Sequence, residues 1–160
     1  MIDYLKPLQS HFEANHNSQN ADAMSAYMKG NFSFFGIKST ERRAIQKQII
    51  SECGLPKPFD PIVFEAFWSA QEMWFQMAGL DILRRQAQKC DASDIQLIEN
   101  LIITKSWWDS VDGLSSWVCG PFFLKFPEQM NPITDRWADS ENMWKSQHHF
   151  PIGLQGQDGC

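Results

Sequence analysis

Apolar residues recur every three to four positions along this chain, in short blocks separated by Gly, Pro and Asn, and that spacing predicts helices. Leu5, Leu8 and Phe12 mark a first helix, ended by the polar run Asn15-His16-Asn17-Ser18. A second, capped by Asn20 or Asp22, carries Met24, Tyr27 and Met28 and closes at Gly30-Asn31. Phe32-Ser33-Phe34-Phe35-Gly36-Ile37 is a compact apolar loop expected to plug into the core. A third helix starts at Ser39 or Thr40, passes Ile45, Ile49 and Ile50, and stops at Gly54 and Pro56. Pro58 and Pro61 stand at the mouth of a fourth, with Val63, Phe64, Phe67 and Trp68. A fifth holds Trp74, Met77, Ala78, Leu80, Ile82 and the polar Asp81, Arg84 and Arg85. A sixth runs from Ala92 to Ile103, with Ile95, Ile98, Leu101 and Ile102 inside. A seventh opens at Trp107-Trp108 and is broken or kinked at Gly120-Pro121. Pro127 and Pro132 punctuate the next stretch of chain, and Trp137 and Trp144 belong to a last pair of helices.

No stretch alternates with period two for long enough to predict a strand. Short helices in pairs point to an all-α chain, an α-solenoid of HEAT-like helical repeats, with a plain helical bundle as the alternative. The 160 residues fit one domain with a real core. No apolar run approaches the length of a membrane span, and the first residues show neither the basic nor the apolar region of a secretory signal. Cys53, Cys90, Cys119 and Cys160 are far apart and lack metal-ligand spacing, so no metal site is expected, and reduced thiols in a cytoplasmic protein are the default. The net charge of −5 argues against a chain devoted to non-specific nucleic-acid binding, but leaves room for a local basic stripe.

Two constellations could carry chemistry. The first is Lys105-Ser106-Trp107-Trp108-Asp109-Ser110-Val111-Asp112. With Ser106 as the cap, Asp109 falls at the capping-box position and has a structural explanation. Trp107, Val111 and Leu114 form a core stripe. Trp108 and Asp112 share a different flank, either as an aromatic and carboxylate pair suited to a cationic ligand, or as a half-buried packing residue beside a solvated one. The second is basic: Lys38, Arg42, Arg43 and Lys47 near the start of the third helix, with Lys29 just upstream. A helix N-terminus rich in cations suits phosphate; a solvated helix face is the competing explanation. Arg84, Arg85 and Lys89 are a weaker cluster of the same kind.

Three stretches resemble the DNA alkylation repair glycosylases of the AlkD type: Tyr27-Met28-Lys29-Gly30-Asn31-Phe32, Phe35-Gly36-Ile37-Lys38-Ser39-Thr40-Glu41-Arg42-Arg43, and Thr104 through Asp112. The resemblance implies HEAT-like repeats curved around duplex DNA, excision of positively charged N3- and N7-alkylated purines, and no cofactor. It implies a catalytic pair at Trp108 and Asp112, and DNA contacts from Tyr27, Lys29, Lys38, Arg42 and Arg43. The implied partner is duplex DNA with alkylated bases; no membrane and no obligate protein partner is implied. Lys38 stands where the family often has Gln.

The resemblance covers residues 1–144, leaving 145–160 as an irregular tail. The family's later catalytic Arg and last repeats are missing from that tail. Codons for Lys145 to Asp158 read one nucleotide later can spell a family-like helix beginning with Arg, so a frameshift after Trp144 is one expectation and a divergent tail the alternative. His148 and His149 are then out-of-frame residues, not ligands, and Arg136 inherits no role. A solenoid cut there would expose an apolar face around Trp137 and Trp144. The leading expectation is a glycosylase in which Asp112 stabilises the oxocarbenium and orients water while Trp108 lines the site. A catalytically impaired DNA-binding repeat and a protein-binding helical scaffold are the alternatives.

Overall fold

The structure, a computed structural model, describes residues 4–146. Its elements are α1 (Leu5–Ala14), α2 (Ser18–Tyr27), α3 (Ser39–Cys53), α4 (Pro61–Ser69), α5 (Met73–Gln86), α6 (Ile95–Ile103), α7 (Trp108–Leu114), α8 (Gly120–Lys125), α9 (Pro127–Ala138) and α10 (Met143–Ser146). Two 3-10 turns, Ala87–Lys89 and Ala92–Asp94, lie between α5 and α6. Among the described residues the fold is all-α, and the single β-bridge joins Ser33 to Glu72. The chain divides into two compact units, Met1–Gly79 and Leu80–Cys160, with the division inside α5.

In the first unit α1 turns Leu8 and Phe12 inward. The Phe12 ring meets Phe35 and Phe75, each at 5.5 Å between centroids. Helix α2 is capped by Asn17, whose side chain accepts from the Asn20 N–H at 3.0 Å, so neither Asn20 nor Asp22 is the cap. Asn17 is the last extended residue, tied by its own N–H to the Phe35 carbonyl at 2.8 Å. The loop after α2 is the apolar plug that the sequence predicts: Phe32, Phe34, Phe35 and Ile37 are all buried. It closes on Gly36, at φ 74°, where an added Cβ would lie 1.9 Å from the Asn17 carbonyl oxygen. Asp60 caps α4 by accepting from the Ile62 N–H at 3.1 Å, and Pro61 follows at the first helical position, where its missing N–H is harmless. Val63, Phe64, Phe67 and Trp68 fill the core behind it.

In the second unit Leu80, Ile82 and Leu83 from the end of α5 join Ile98, Val111, Leu114, Phe122, Phe123 and Trp137 in the core. Gly120-Pro121 does not break the chain here. Helix α7 passes through a π-helical segment, Ser115–Cys119, directly into α8. Proline lacks an N–H and crowds the carbonyl four residues back; a wide turn just before it relieves that conflict. Pro132 likewise sits inside α9 rather than ending it. The carbonyl it leaves over belongs to Glu128, an exposed residue that water can reach. Trp137 is buried and donates its Nε1–H to Glu99 Oε1 at 2.8 Å, so it is a core residue and not part of an exposed face. Lys145 and Ser146 belong to α10 rather than to an irregular tail. The rest of that tail, with His148, His149 and the frameshift reading, lies outside the described residues.

Candidate functional site

The Trp-Trp-Asp run sits in the second unit, and its helix begins one residue later than the sequence suggests. Ser106 turns its hydroxyl back to donate to the Ile102 carbonyl of α6, and it stands one residue before the cap. The N-cap is Trp107, extended at φ −148° and ψ 157°. Ser110 closes the turn: its Oγ accepts from the Trp107 N–H at 3.3 Å and donates to the Trp107 carbonyl at 3.0 Å. Asp109 therefore does not close the capping box; it stays exposed in the first turn, where its charge complements the helix dipole. Trp107 lies outside the helix and is only half-buried, so the core stripe is Val111 and Leu114 without it.

The flank assigned to Trp108 and Asp112 keeps its geometry, because a four-residue spacing puts two side chains on one face wherever the helix starts. Trp108 is 48% exposed and Asp112 is exposed beside it. The Trp108 ring meets Trp144 of α10 in a T-shaped contact, 5.0 Å between centroids and 67° between planes. Lys105, just upstream, is one of three non-glycine residues in the left-handed region among the described residues, at φ 51°. Among the described residues no group of three or more His, Cys, Asp and Glu is placed to hold a metal ion.

The basic cluster lies in the first unit, and the structure splits it. Lys38 is the exposed N-cap of α3, and its N–H donates to Glu41 Oε2 at 3.0 Å. Ser39 and Thr40 are thus the first helical residues, not caps, and the Glu41 carboxylate already stands at the helix N-terminus. Arg43 and Lys47 are exposed. Lys29 is exposed in the left-handed turn after α2, at φ 55°, and Tyr27 is 84% exposed.

Arg42 requires a correction. It is 2% exposed, so it is not a surface cation within reach of a phosphate. Its Nη1 donates to Gln46 Oε1 at 2.9 Å, its guanidinium lies 5.5 Å from the centre of the Trp74 ring, and Gln46 Nε2 donates to the Ala78 carbonyl at 2.8 Å. Trp74 in turn donates its Nε1–H to the Ile37 carbonyl at 2.9 Å and receives Phe34 edge-on. This network braces the apolar plug against α3 and α5. The signal for it was present in the sequence, since Arg42, Gln46 and Ile49 are spaced as one helical stripe and all three are buried. A stacked pair the sequence did not reveal is Arg84 over Trp117, 4.6 Å to the ring centre, in the second unit.

The sequence profile described as DNA alkylation repair enzyme matches residues 8–148, nearly the whole chain. The chain belongs to this family. A solved structure described as a predicted DNA alkylation repair enzyme from Enterococcus faecalis is similar at 29% identity and a TM-score of 0.70. The likeness covers 82% of this family member and 62% of that chain, so the present sequence spans under two thirds of its relative's length. No curated protein matches it.

Proposed function

We propose that this chain acts on alkylated duplex DNA as an AlkD-type glycosylase, hydrolysing the N-glycosidic bond of N3- and N7-alkylated purines, with a HEAT-like repeat arrangement of its helices. The observation that carries the reading is the exposed pair Trp108 and Asp112 on one flank of α7, in a chain whose family is DNA alkylation repair enzyme. An alkylated purine is already cationic. When its bond to C1′ of the deoxyribose breaks, the electron pair leaves with the base, which becomes neutral, and positive charge develops on the sugar. Asp112 is a fixed anion for that charge, and it accepts the proton that water releases on attacking C1′. Trp108 offers its π face to the cation. The departing base needs no proton from the enzyme, which fits a flank holding a carboxylate and an indole. Lys29, Lys38 and Arg43 supply phosphate contacts, and Tyr27, exposed two residues before Lys29, is a further DNA contact. Arg42 is left out of that set because it is buried.

The test is release of 7-methylguanine from alkylated duplex DNA under single turnover. Asp112→Asn preserves shape and removes the charge; it should lower the rate by about 100-fold or more with an unchanged melting temperature. Unaltered release by this variant sinks the role of Asp112. A second reading, DNA binding without turnover, draws on the exposed cations of the first unit alone. Duplex binding with no base release by the wild-type chain decides for it.

A further inference from the structure

An indole 48% exposed at the start of a helix has little to hold its rotamer unless something braces it. Trp144 supplies a brace for Trp108, its ring meeting the indole at 5.0 Å and 67°. Trp144 is carried by α10, a helix of four residues. So short a helix has no stability of its own and persists through its contacts. Asn142 starts it: its Oδ1 accepts from the Trp144 N–H at 3.0 Å, its carbonyl accepts from the Lys145 N–H at 3.0 Å, and its own N–H donates to Ser140 Oγ at 3.2 Å. The turn after α9 is thus hydrogen-bonded in a way that fixes the backbone of one residue, and that residue's side chain is the one laid against Trp108. Edge-to-face aromatic contacts are directional, so an aliphatic side chain of similar bulk cannot reproduce the hold.

We infer that Trp144 is a positioning residue for Trp108: it fixes the pitch of the exposed indole beside Asp112, so that the indole's remaining surface faces a cationic sugar. This rests on the glycosylase reading and adds to it a residue that acts through another. The probes are two labelled duplexes, one carrying a cationic pyrrolidine abasic analogue and one a neutral tetrahydrofuran analogue, compared by fluorescence anisotropy. The wild-type chain should prefer the cationic duplex. Trp144→Leu should reduce that preference about fivefold, and Trp144→Phe should hold it within about twofold. In a Trp108→Ala background, Trp144→Leu should have no further effect, as expected of two residues acting as a unit.

Equal losses from Phe and Leu, or additive losses in the double variant, overturn the inference. A wild-type chain with no preference for the cationic duplex defeats the catalytic-site reading and the inference with it. A preference abolished by Trp108→Ala but untouched by Trp144→Leu defeats only the role of Trp144. Should Trp144→Leu fail to fold, Trp108→Phe and Trp144→Phe carry the test by far-ultraviolet circular dichroism. Each should remove the same indole–indole exciton band, and absence of that band from the wild-type chain overturns the contact itself.

Discussion

Arg42 and Arg43 are neighbours in sequence, and the helix sends them to opposite environments. Arg42 is sealed against Gln46 and Trp74, while Arg43 faces solvent. Arg42→Ala leaves Gln46 Oε1 without its donor and uncovers one face of Trp74; it should cost about 2–3 kcal/mol in urea unfolding. Arg43→Ala should change stability by less than about 0.5 kcal/mol. It should instead weaken duplex binding and reduce the slope of log K against log salt by about one. A destabilised Arg43 variant or a neutral Arg42 variant reverses the assignment. The two arginines also mark how far residue types can be read. Four cations in ten positions look like a surface, and only the stripe through Arg42, Gln46 and Ile49 betrays the one that is inside. Trp108 and Asp112 were readable because their relation depends on spacing alone. Trp107 was not, because it is the extended N-cap just outside the helix, where a four-residue spacing to Val111 no longer sets two side chains on one face.

Helix existence was legible along this chain, whereas helix starts were not. Asn17, Lys38 and Trp107 are the caps where the sequence suggests Asn20 or Asp22, Ser39 or Thr40, and Ser106; at the last two sites those residues are also the better caps by type. In each case tertiary contacts or a local hydrogen bond chose the cap: the Phe35 carbonyl for Asn17, Glu41 for Lys38, Ser110 for Trp107. Pro121 and Pro132 both sit within helical runs, and before Pro121 the run adapts through its π-helical segment instead of breaking. Two glycines show where an element has no such freedom. At Gly36 a methyl group would meet backbone atoms of Asn17 and Ala21 at 1.9 to 2.9 Å, at a φ that side chains rarely adopt. Gly36→Ala should therefore cost more than about 4 kcal/mol, or prevent folding. At Gly113 the nearest atom is Leu80 Cδ2, at 2.4 Å, the movable end of a side chain. Gly113→Ala should cost about 1–3 kcal/mol. Thermal unfolding of the two variants side by side checks the order, and a Gly36 variant as stable as the Gly113 one contradicts it.

At the scale of the molecule, burial governs the pH response. The Cys119 thiol is pushed well up by burial and then by the nearby Glu99 charge, and the Cys90 thiol is raised by burial against the opposing pull of Lys125. Between the ordinary thiol value, about 8.5, and the raised one, the folded chain keeps protons that the unfolded chain gives up. The unfolded state then binds fewer protons, so stability is fully present below about pH 8 and falls as pH rises past it. Tyr4, raised by burial and then by Cys53, adds to the loss at higher pH. Calorimetry from pH 7 to 10 should show a falling melting temperature, with a shallower fall in Cys119→Ala; a flat profile contradicts the burial of these groups. Tryptophan placement has a spectroscopic consequence. Trp68 and Trp137 are each 1% exposed, one in each compact unit, while Trp108 is 48% exposed. An aqueous quencher such as iodide reaches the last and is kept from the first two. With the other indoles replaced, Trp68 and Trp137 give each unit its own unlabelled optical signal. Whether the two signals change together or apart then measures how cooperatively the chain unfolds.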